Sequence, residues 1–369
     1  MKKKVSLYVR NANLTPSSFY RLVQYKDYLD ANIVIRENTP DFLYKIVRDC
    51  KNKYAKNIMY LINFIIILVL TFKNFLYDYF KRTDVIVISK TIVPRRMPLI
   101  FLKVFNFIVK AKGIKILWDF DDNIKESGEI DNTQFSFLSE ICTTIIVTNN
   151  ELKHTIDEKF QHKVFLLPTT DGSFTKKNYE EYTMDRLKSF DNHFSLVWVG
   201  TAVNLGYLNE IIISLDNVAK LFLKRQNKQI YLKIVCNKPL EVQVRYLRIE
   251  NIMWTREAAE QAILTSHIGL MPLVDNKYTR GKGGFKLVQY LATGLPSIAS
   301  KVGFNKEVLD DTCGFLLNNV RDNEWEKSVC HLGENSHVWE EYSIGAKKKW
   351  DSDFSFENNV NKLNYWIYN

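Results

Sequence analysis

The chain has 369 residues, with 51 Lys and Arg against 41 Asp and Glu, a formal net charge of +10. That length accommodates two domains of ordinary size, each with its own core, and a hydrophobic content of 46% excludes a chain that is disordered overall. The positive balance favours phosphorylated ligands, polyanions or an anionic membrane surface, or else reflects lysine-rich coding alone. It is scattered and not gathered into a basic stripe with interleaved aromatics, which argues against a nucleic-acid partner.

Residues 5–9, VSLYV, read as a buried strand, and the charged start before them lacks a signal h-region and a cleavage site, so a cytoplasmic protein is expected. The loop RNANLTPSS leads into a helix expected from Ser17 to about Asp30, and IVI at 33–35 is a second strand. Residues 54–80, YAKNIMYLINFIIILVLTFKNFLYDYF, are unusual. Their core, Ile58 to Phe72, is apolar apart from Asn63 and Thr71, and the flanks carry Lys51, Lys53, Lys56, Lys73, Lys81 and Arg82. A bilayer span needs about 20 apolar residues. Three placements therefore stay open: a helix buried on both sides, a helix lying in the inner surface of the cytoplasmic membrane with its cations at the headgroups, and a true span.

Strands and helices then alternate. DVIVIS (84–89) is a strand, 97–111 a helix, IKILWDF (114–120) a strand, TTIIVT (143–148) a strand, the segment after it a helix capped by Asn149 or Asn150, and KVFLLP (163–168) a strand closed by proline. Continuous apolar strands between helices imply a parallel sheet covered on both faces. Residues 1–168 thus form a first Rossmann-like domain, and the polar stretch 169–193 reads as a connection. The pattern restarts at FSLVWVG (194–200), with further strands at 229–236, 249–254 and 267–273 and a helix capped by Thr255. A second domain over 194–350 follows, with a helix over 351–369 free to cross back to the first.

Within the second domain, Tyr278–Asn305, YTRGKGGFKLVQYLATGLPSIASKVGFN, reads as a glycine loop, a helix N-terminus, a glycine C-cap, a proline stop and a buried strand. The free amides and positive dipole end of a helix favour an anion, and Arg280, Lys282 and Lys286 lie within one turn of it. Lys286 and Gln289, three apart, share a helix face. Cations, an amide and bare backbone suit a diphosphate carrying a sugar or ribose. Gly200 and Thr201 sit at another strand–helix turn whose amides could approach a phosphate, although a plain turn would look the same. Ligands in such folds bind beyond the carboxyl ends of the strands, which also brings in the loop 254–257 with Arg256.

Other motifs exclude more than they suggest. No GxGxxG, P-loop or GxSxG pattern is present. The five cysteines (Cys50, Cys142, Cys236, Cys313 and Cys330) lack metal-type spacing and read as small buried groups in a reducing compartment. The histidines form no short-spaced ligand pair, and His267, opening a buried strand, reads as structural. The acidic run Asp119-Phe120-Asp121-Asp122 at a strand end leaves three readings: a divalent-cation site, a turn and cap cluster, or handling of an acceptor hydroxyl by Asp121 or Asp122.

The segments VWVGTAVNLGYLNE, IGLMPLVDN, GKGGFKLVQYLATGLPSIASKVGFNKEV and YSIGAKKKW resemble family-4 glycosyltransferases of the GT-B fold. PSSFYRLVQYKDYL, ILWDFDDNI and IIVTNNELKHTI…KVFLLPTTDG look like one bacterial branch of that family, so the resemblance covers nearly the whole chain. It implies an α/β protein of two facing Rossmann-like domains with parallel sheets. The implied activity is retaining transfer of a sugar from a UDP- or GDP-linked donor to an acceptor hydroxyl, on a lipid-linked saccharide or oligosaccharide in capsule or O-antigen synthesis. The donor would lie on the C-terminal domain and the acceptor on the N-terminal one.

By the same resemblance the diphosphate and sugar fall on Lys282, Gly283, Gly284 and Phe285, with Gly200, Thr201 and Arg256 nearby. Lys286 best matches the basic residue for the leaving diphosphate, and Arg280 and Lys282 are further candidates. Asp121 or Asp122 would orient the acceptor. No metal or other cofactor is expected, because these cations and the helix N-terminus would stabilise the leaving charge. Of two glutamates that many members carry eight positions apart, the second falls on Gln289 and the first on Gly281, which leaves the donor sugar open. The N-terminal loop has Arg10, Asn11 and Asn13 where many members have a glycine pair. The alternative is a non-catalytic nucleotide-sugar or polysaccharide binder of the same fold.

Overall fold

A computed structural model describes residues 2–49, 52–318, 320 and 323–369; Cys50 and Lys51, and the side chain of Lys53, lie outside the described set. The chain forms two compact units, Met1–Thr169 with Glu357–Asn369, and Thr170–Phe356.

The first unit is built on β1 (Lys4–Val9), β2 (Asn32–Glu37), β3 (Val85–Ser89), β4 (Lys115–Phe120), β5 (Thr144–Val147) and β6 (Val164–Leu166). They form one sheet in the order β2-β1-β3-β4-β5-β6, parallel throughout. β3 and β5 are buried at every position, which is why their sequences are unbroken apolar runs and not alternating ones. The second unit carries β7 (Phe194–Val199), β8 (Ile230–Cys236), β9 (Arg248–Met253), β10 (Ile268–Met271), β11 (Ser297–Ser300) and β12 (Gly314–Leu317). Their order is β12-β11-β10-β7-β8-β9, again all parallel. In each sheet the chain winds first to one side of its opening strand and then to the other. That leaves a topological switch point between β1 and β3, and another between β7 and β10.

Three expectations change, and one open alternative is excluded. The helix expected over Ser17 to Asp30 is only Pro16–Arg21, followed by one tight turn, Val23–Tyr25. Its last residue, Arg21, is buried and bonded to Asp119 at the end of β4. The C-terminal helix begins at Phe356 and not 351, because Ser336–Asp353 runs on as one helix. The Phe356–Tyr368 helix is tied into the first unit: Asn359 donates to the Pro168 carbonyl at 2.7 Å, and the Lys115 ammonium donates to the Trp366 carbonyl at 2.7 Å.

The apolar segment forms one helix, Lys53–Lys81, and it is not buried on both sides. Ile67, Thr71, Phe75 and Asp78 are buried, whereas Ile58, Ile65, Val69 and Phe80 are more than half exposed.

The polar stretch 169–193 is no free connection either. Tyr179–Ser189 is a helix of the second unit, anchored by Arg186, which is 1% exposed. Its guanidinium donates to the carbonyls of Ile263 (3.0 Å), Leu264 (3.1 Å) and Thr293 (2.6 Å) and to the Thr293 hydroxyl (3.1 Å). These acceptors end the helices Arg256–Leu264 and Phe285–Ala292, so the cation complements the negative ends of two helix dipoles. Burial with no carboxylate at hand pulls its pKa down.

His267 continues this network: its Nδ1 accepts the Ser195 amide (3.0 Å) and its Nε2 donates to the Arg186 carbonyl (2.9 Å). Burial pulls its pKa down to about 3, from an ordinary 6.5. The folded chain therefore keeps His267 neutral while the unfolded chain protonates it. Stability should be full above pH 6.5 and fall as pH drops from about 6.5 towards about 3, with an extra slope of about 1.4 kcal/mol per pH unit from this residue. Denaturant titrations at several pH values should show that slope flattened in His267→Asn. Separately, Arg186→Ala should lower the unfolding free energy by about 3 kcal/mol or more, since it strands several buried acceptors.

Candidate functional site

In the second unit the switch point is bounded by the loop after β7 and the one after β10. Gly200 is buried and Thr201 exposed, and the turn is fixed by two side chains: Asn237 Oδ1 accepts the Ala202 amide, and Asn204 Nδ2 donates to the Thr201 hydroxyl, each at 2.9 Å. Lys282 and Lys286 both reach the small crevice here, lined also by Trp198, Asn204, Met271, Pro272 and Leu273. Both lysines are half-buried, and Lys282 Nζ lies 4.6 Å from the Tyr278 ring centre.

Three features bring Lys286 to that point. Gly284 is the N-cap of the helix Phe285–Ala292 and has φ 59°. A Cβ there would also come within 3.1 Å of Phe304 and 3.2 Å of Val308, so the left-handed turn favours glycine and its neighbours leave little room for a side chain. Further along, the buried Tyr290 hydroxyl accepts the Val199 amide at 3.2 Å. Its ring lies on Gly269 of β10, where a Cβ would come within 2.3 Å. The helix is thus pressed against β7 and β10, and its first turn, with Lys286, starts at the crevice edge.

The remaining residues of the expected donor set are placed differently. Arg280 makes a two-point contact with Asp275, Nε to Oδ1 at 2.6 Å and Nη2 to Oδ2 at 3.1 Å, and this holds the Asp275 carboxyl below its usual range. Gln289 is 6% exposed, and its amide donates to Asp171 at 2.8 Å; burial pushes the Asp171 carboxyl up. Arg256 opens the helix after β9, whose N-cap Thr255 accepts the Ala258 amide at 3.0 Å. It stands two strands from β7 and is not part of the crevice lining. Gly283 is buried within the loop, and Phe285 is half-buried at the helix start.

In the first unit the acidic run divides. Asp119 is buried against Arg21, whose Nε lies 3.2 and 3.1 Å from the two carboxylate oxygens and whose Nη1 donates to the Leu167 carbonyl at 2.5 Å. Burial pushes Asp119 up against the opposing pull of Arg21. Asp121 and Asp122 instead hold Lys90, at 3.0 and 2.9 Å, with Glu129 at 3.9 Å. Burial alone would lower the Lys90 pKa, but the three carboxylates carry it well above its ordinary value.

Lys90 has φ 61° and Arg95 φ 68°, a left-handed conformation that is uncommon for side chains of this size and concentrates at functional positions. Beside them, at the β1/β3 switch point, is a hollow of about 240 Å³ lined by hydroxyls from Thr15, Ser17, Ser18, Ser89, Thr91 and Ser127. Nothing in the sequence singles out Lys90; only its position just past a strand end could have drawn attention to it. Among the described residues no group of three or more His, Cys, Asp or Glu is placed to hold a metal ion.

No family model matches the chain, and no curated protein matches it in sequence. Solved structures match it in fold. HepE from Anabaena, in complex with UDP-glucose, has a TM-score of 0.63 at 10% identity over 99% of this chain and 98% of that one. A glycosyltransferase from Rickettsia africae gives 0.63 at 12% identity, over 100% and 98%. Sucrose-phosphate synthase from Thermosynechococcus elongatus gives 0.61 at 11% identity, over 100% and 98%. At such identities the likeness is one of architecture: the chain has the GT-B fold, with two Rossmann-like units and parallel sheets.

Gly269→Ala should lower stability by about 1–3 kcal/mol, because the added methyl overpacks against Tyr290. Denaturant unfolding of the variant beside the unaltered protein reads this directly.

Proposed function

We propose that this protein is a retaining, metal-independent glycosyltransferase of the family-4 type. It would move a sugar from a UDP- or GDP-linked donor to a hydroxyl of a lipid-linked saccharide in bacterial cell-surface polysaccharide synthesis. The observation that carries the reading is the convergence of Lys282, Lys286 and the first amides of Phe285–Ala292 at the switch point of the second sheet. The fold is shared with HepE, whose structures hold UDP and UDP-glucose.

Glycosyl transfer builds positive charge at the anomeric carbon and negative charge on the departing diphosphate. Lys286, Lys282 and the helix N-terminus stabilise the leaving charge at the moment it forms. Same-face attack by the acceptor hydroxyl, with a diphosphate oxygen taking its proton, gives retention. The hydroxyl-lined hollow of the first unit has the chemistry to hold the acceptor saccharide. Asp121 and Asp122, ion-paired with Lys90 at the edge of that hollow, act as hydrogen-bond acceptors that orient it. The exposed apolar helix supports a place at the inner face of the cytoplasmic membrane. A non-catalytic binder of the same fold is the rival reading, favoured by one observation: Gly281, where a sugar-contacting carboxylate would stand, is buried and offers no side chain.

Thermal shift with UDP, GDP and their common sugars identifies the donor, a ligand at one hundred times its Kd adding about 2.7 kcal/mol. Lys286→Ala should then reduce transfer about 10²–10³-fold in kcat. Near-normal transfer by that variant would refute the leaving-group role, and nucleotide-sugar binding without turnover on any lipid-linked acceptor would favour the binder.

A further inference from the structure

The helix Lys53–Lys81 is apolar all round, but only one side is covered. Ile67, Thr71, Phe75 and Asp78 are buried at helical spacing. Phe75 packs on Tyr8 of β1, and the Ser6 and Tyr8 hydroxyls donate to Asp78 at 2.6 Å each. The opposite stripe, Ile58, Ile65, Val69, Phe72, Leu76 and Phe80, is 41% to 73% exposed. The helix Leu99–Lys112 widens it: Phe101 lies 6.2 Å from Phe72, and Leu99, Ile100 and Phe107 are exposed. Asp78 is the one carboxylate on these two helices, and it faces inward; the exposed charges are Lys73, Lys81, Lys103, Lys110 and Lys112. A large apolar patch rimmed by one sign of charge marks an interaction surface.

The same helix borders a hollow of about 520 Å³ in the first unit, where Arg10, Lys56, Arg95 and Arg96 converge with Tyr60 and Asn63. None of the four cations is paired with a carboxylate among the described residues, and the Asn63 Oδ1 is buried without a hydrogen-bond partner. Arg10 and Arg95 also line the hydroxyl-rich hollow, so the two cavities adjoin.

We propose that this face docks on an anionic bilayer, with the apolar stripe in the acyl boundary and the phosphate headgroup of a membrane lipid seated among Arg10, Lys56, Arg95 and Arg96. Charge decides the occupant. Two copies of this basic face would repel each other, whereas an anionic surface satisfies both the rim and the hollow. The helix lies on the membrane and does not cross it, because its inner face is bonded to β1 through Asp78. Docking stands independently of the glycosyltransferase reading. If that reading also holds, the adjoining hollow receives the acceptor next to the headgroup layer.

The test is co-sedimentation of the full chain with vesicles of phosphatidylcholine alone, and of phosphatidylcholine mixed with phosphatidic acid. Binding is expected only to the mixed vesicles. Val69→Glu with Phe72→Glu should abolish it, and Arg95→Glu with Arg96→Glu should weaken it about tenfold or more. Unchanged thermal unfolding of these surface variants shows that they fold, and an unchanged UDP shift separates this result from any failure of the donor site. The proposal is overturned by equal binding to both vesicles, by no binding, by binding that neither double variant reduces, or by a dimer in solution that Val69→Glu with Phe72→Glu dissociates. Retention of soluble pyrophosphate by a chain that ignores vesicles would also overturn it, making the hollow a seat for a free anion.

Discussion

A parallel sheet that winds first to one side of its opening strand and then to the other must leave a gap at the carboxyl ends, where two successive loops part. Both sheets here are built that way, and the gap beside β1 or β7 is where the polar side chains collect. Strands buried on both faces carry little charge along their length, and Lys233 of β8 is there bonded to Thr265. Chemistry is therefore confined to strand ends, and only the carboxyl edge opens onto helix N-termini. The opposite edge of the second sheet is used for cohesion: there His267, Ser195 and Arg186 join β10, β7 and the helix Tyr179–Ser189 in one neutral-histidine network.

How each buried cation is satisfied separates structure from site. Arg21 has a buried carboxylate and a main-chain carbonyl, and Arg186 has the carbonyl ends of two helices. Both are fully enclosed, so a missing partner would leave a desolvated charge or a stranded acceptor. Lys90 is held by three carboxylates but at the rim of a hollow, in a left-handed backbone conformation that only its surroundings maintain. Lys282 and Lys286 are half-buried beside a helix N-terminus. The progression runs from charges that hold the fold to charges that face a cavity.

The strands were legible because their burial on both faces requires unbroken apolar runs, and the loop at Gly284 because a left-handed N-cap requires glycine. β12, GFLL, escaped notice: it has four residues, two of them half-buried, and no more apolar signal than a loop. The helix Tyr179–Ser189 reads as connection in the sequence because its composition is polar; it is held by Arg186 bonding residues 77 and 107 positions away. The acidic run at Asp119 reads as one cluster, yet β4 ends at Phe120, so Asp119 sits within the buried strand against Arg21 while Asp121 and Asp122 lie in the loop beyond it and meet Lys90.

By itself the sequence determined two parallel α/β sheets, the glycine-and-lysine loop and an apolar segment too long to be ordinary. These follow from periodicity, backbone sterics and composition, all of which are local. Only the tertiary structure decided that Arg280 belongs to Asp275 and Gln289 to Asp171, that Lys282 and Lys286 share one crevice, and that the apolar helix is covered on one side only. Pairing and exposure depend on which segments meet, and segments far apart in the chain meet only once the sheets have formed.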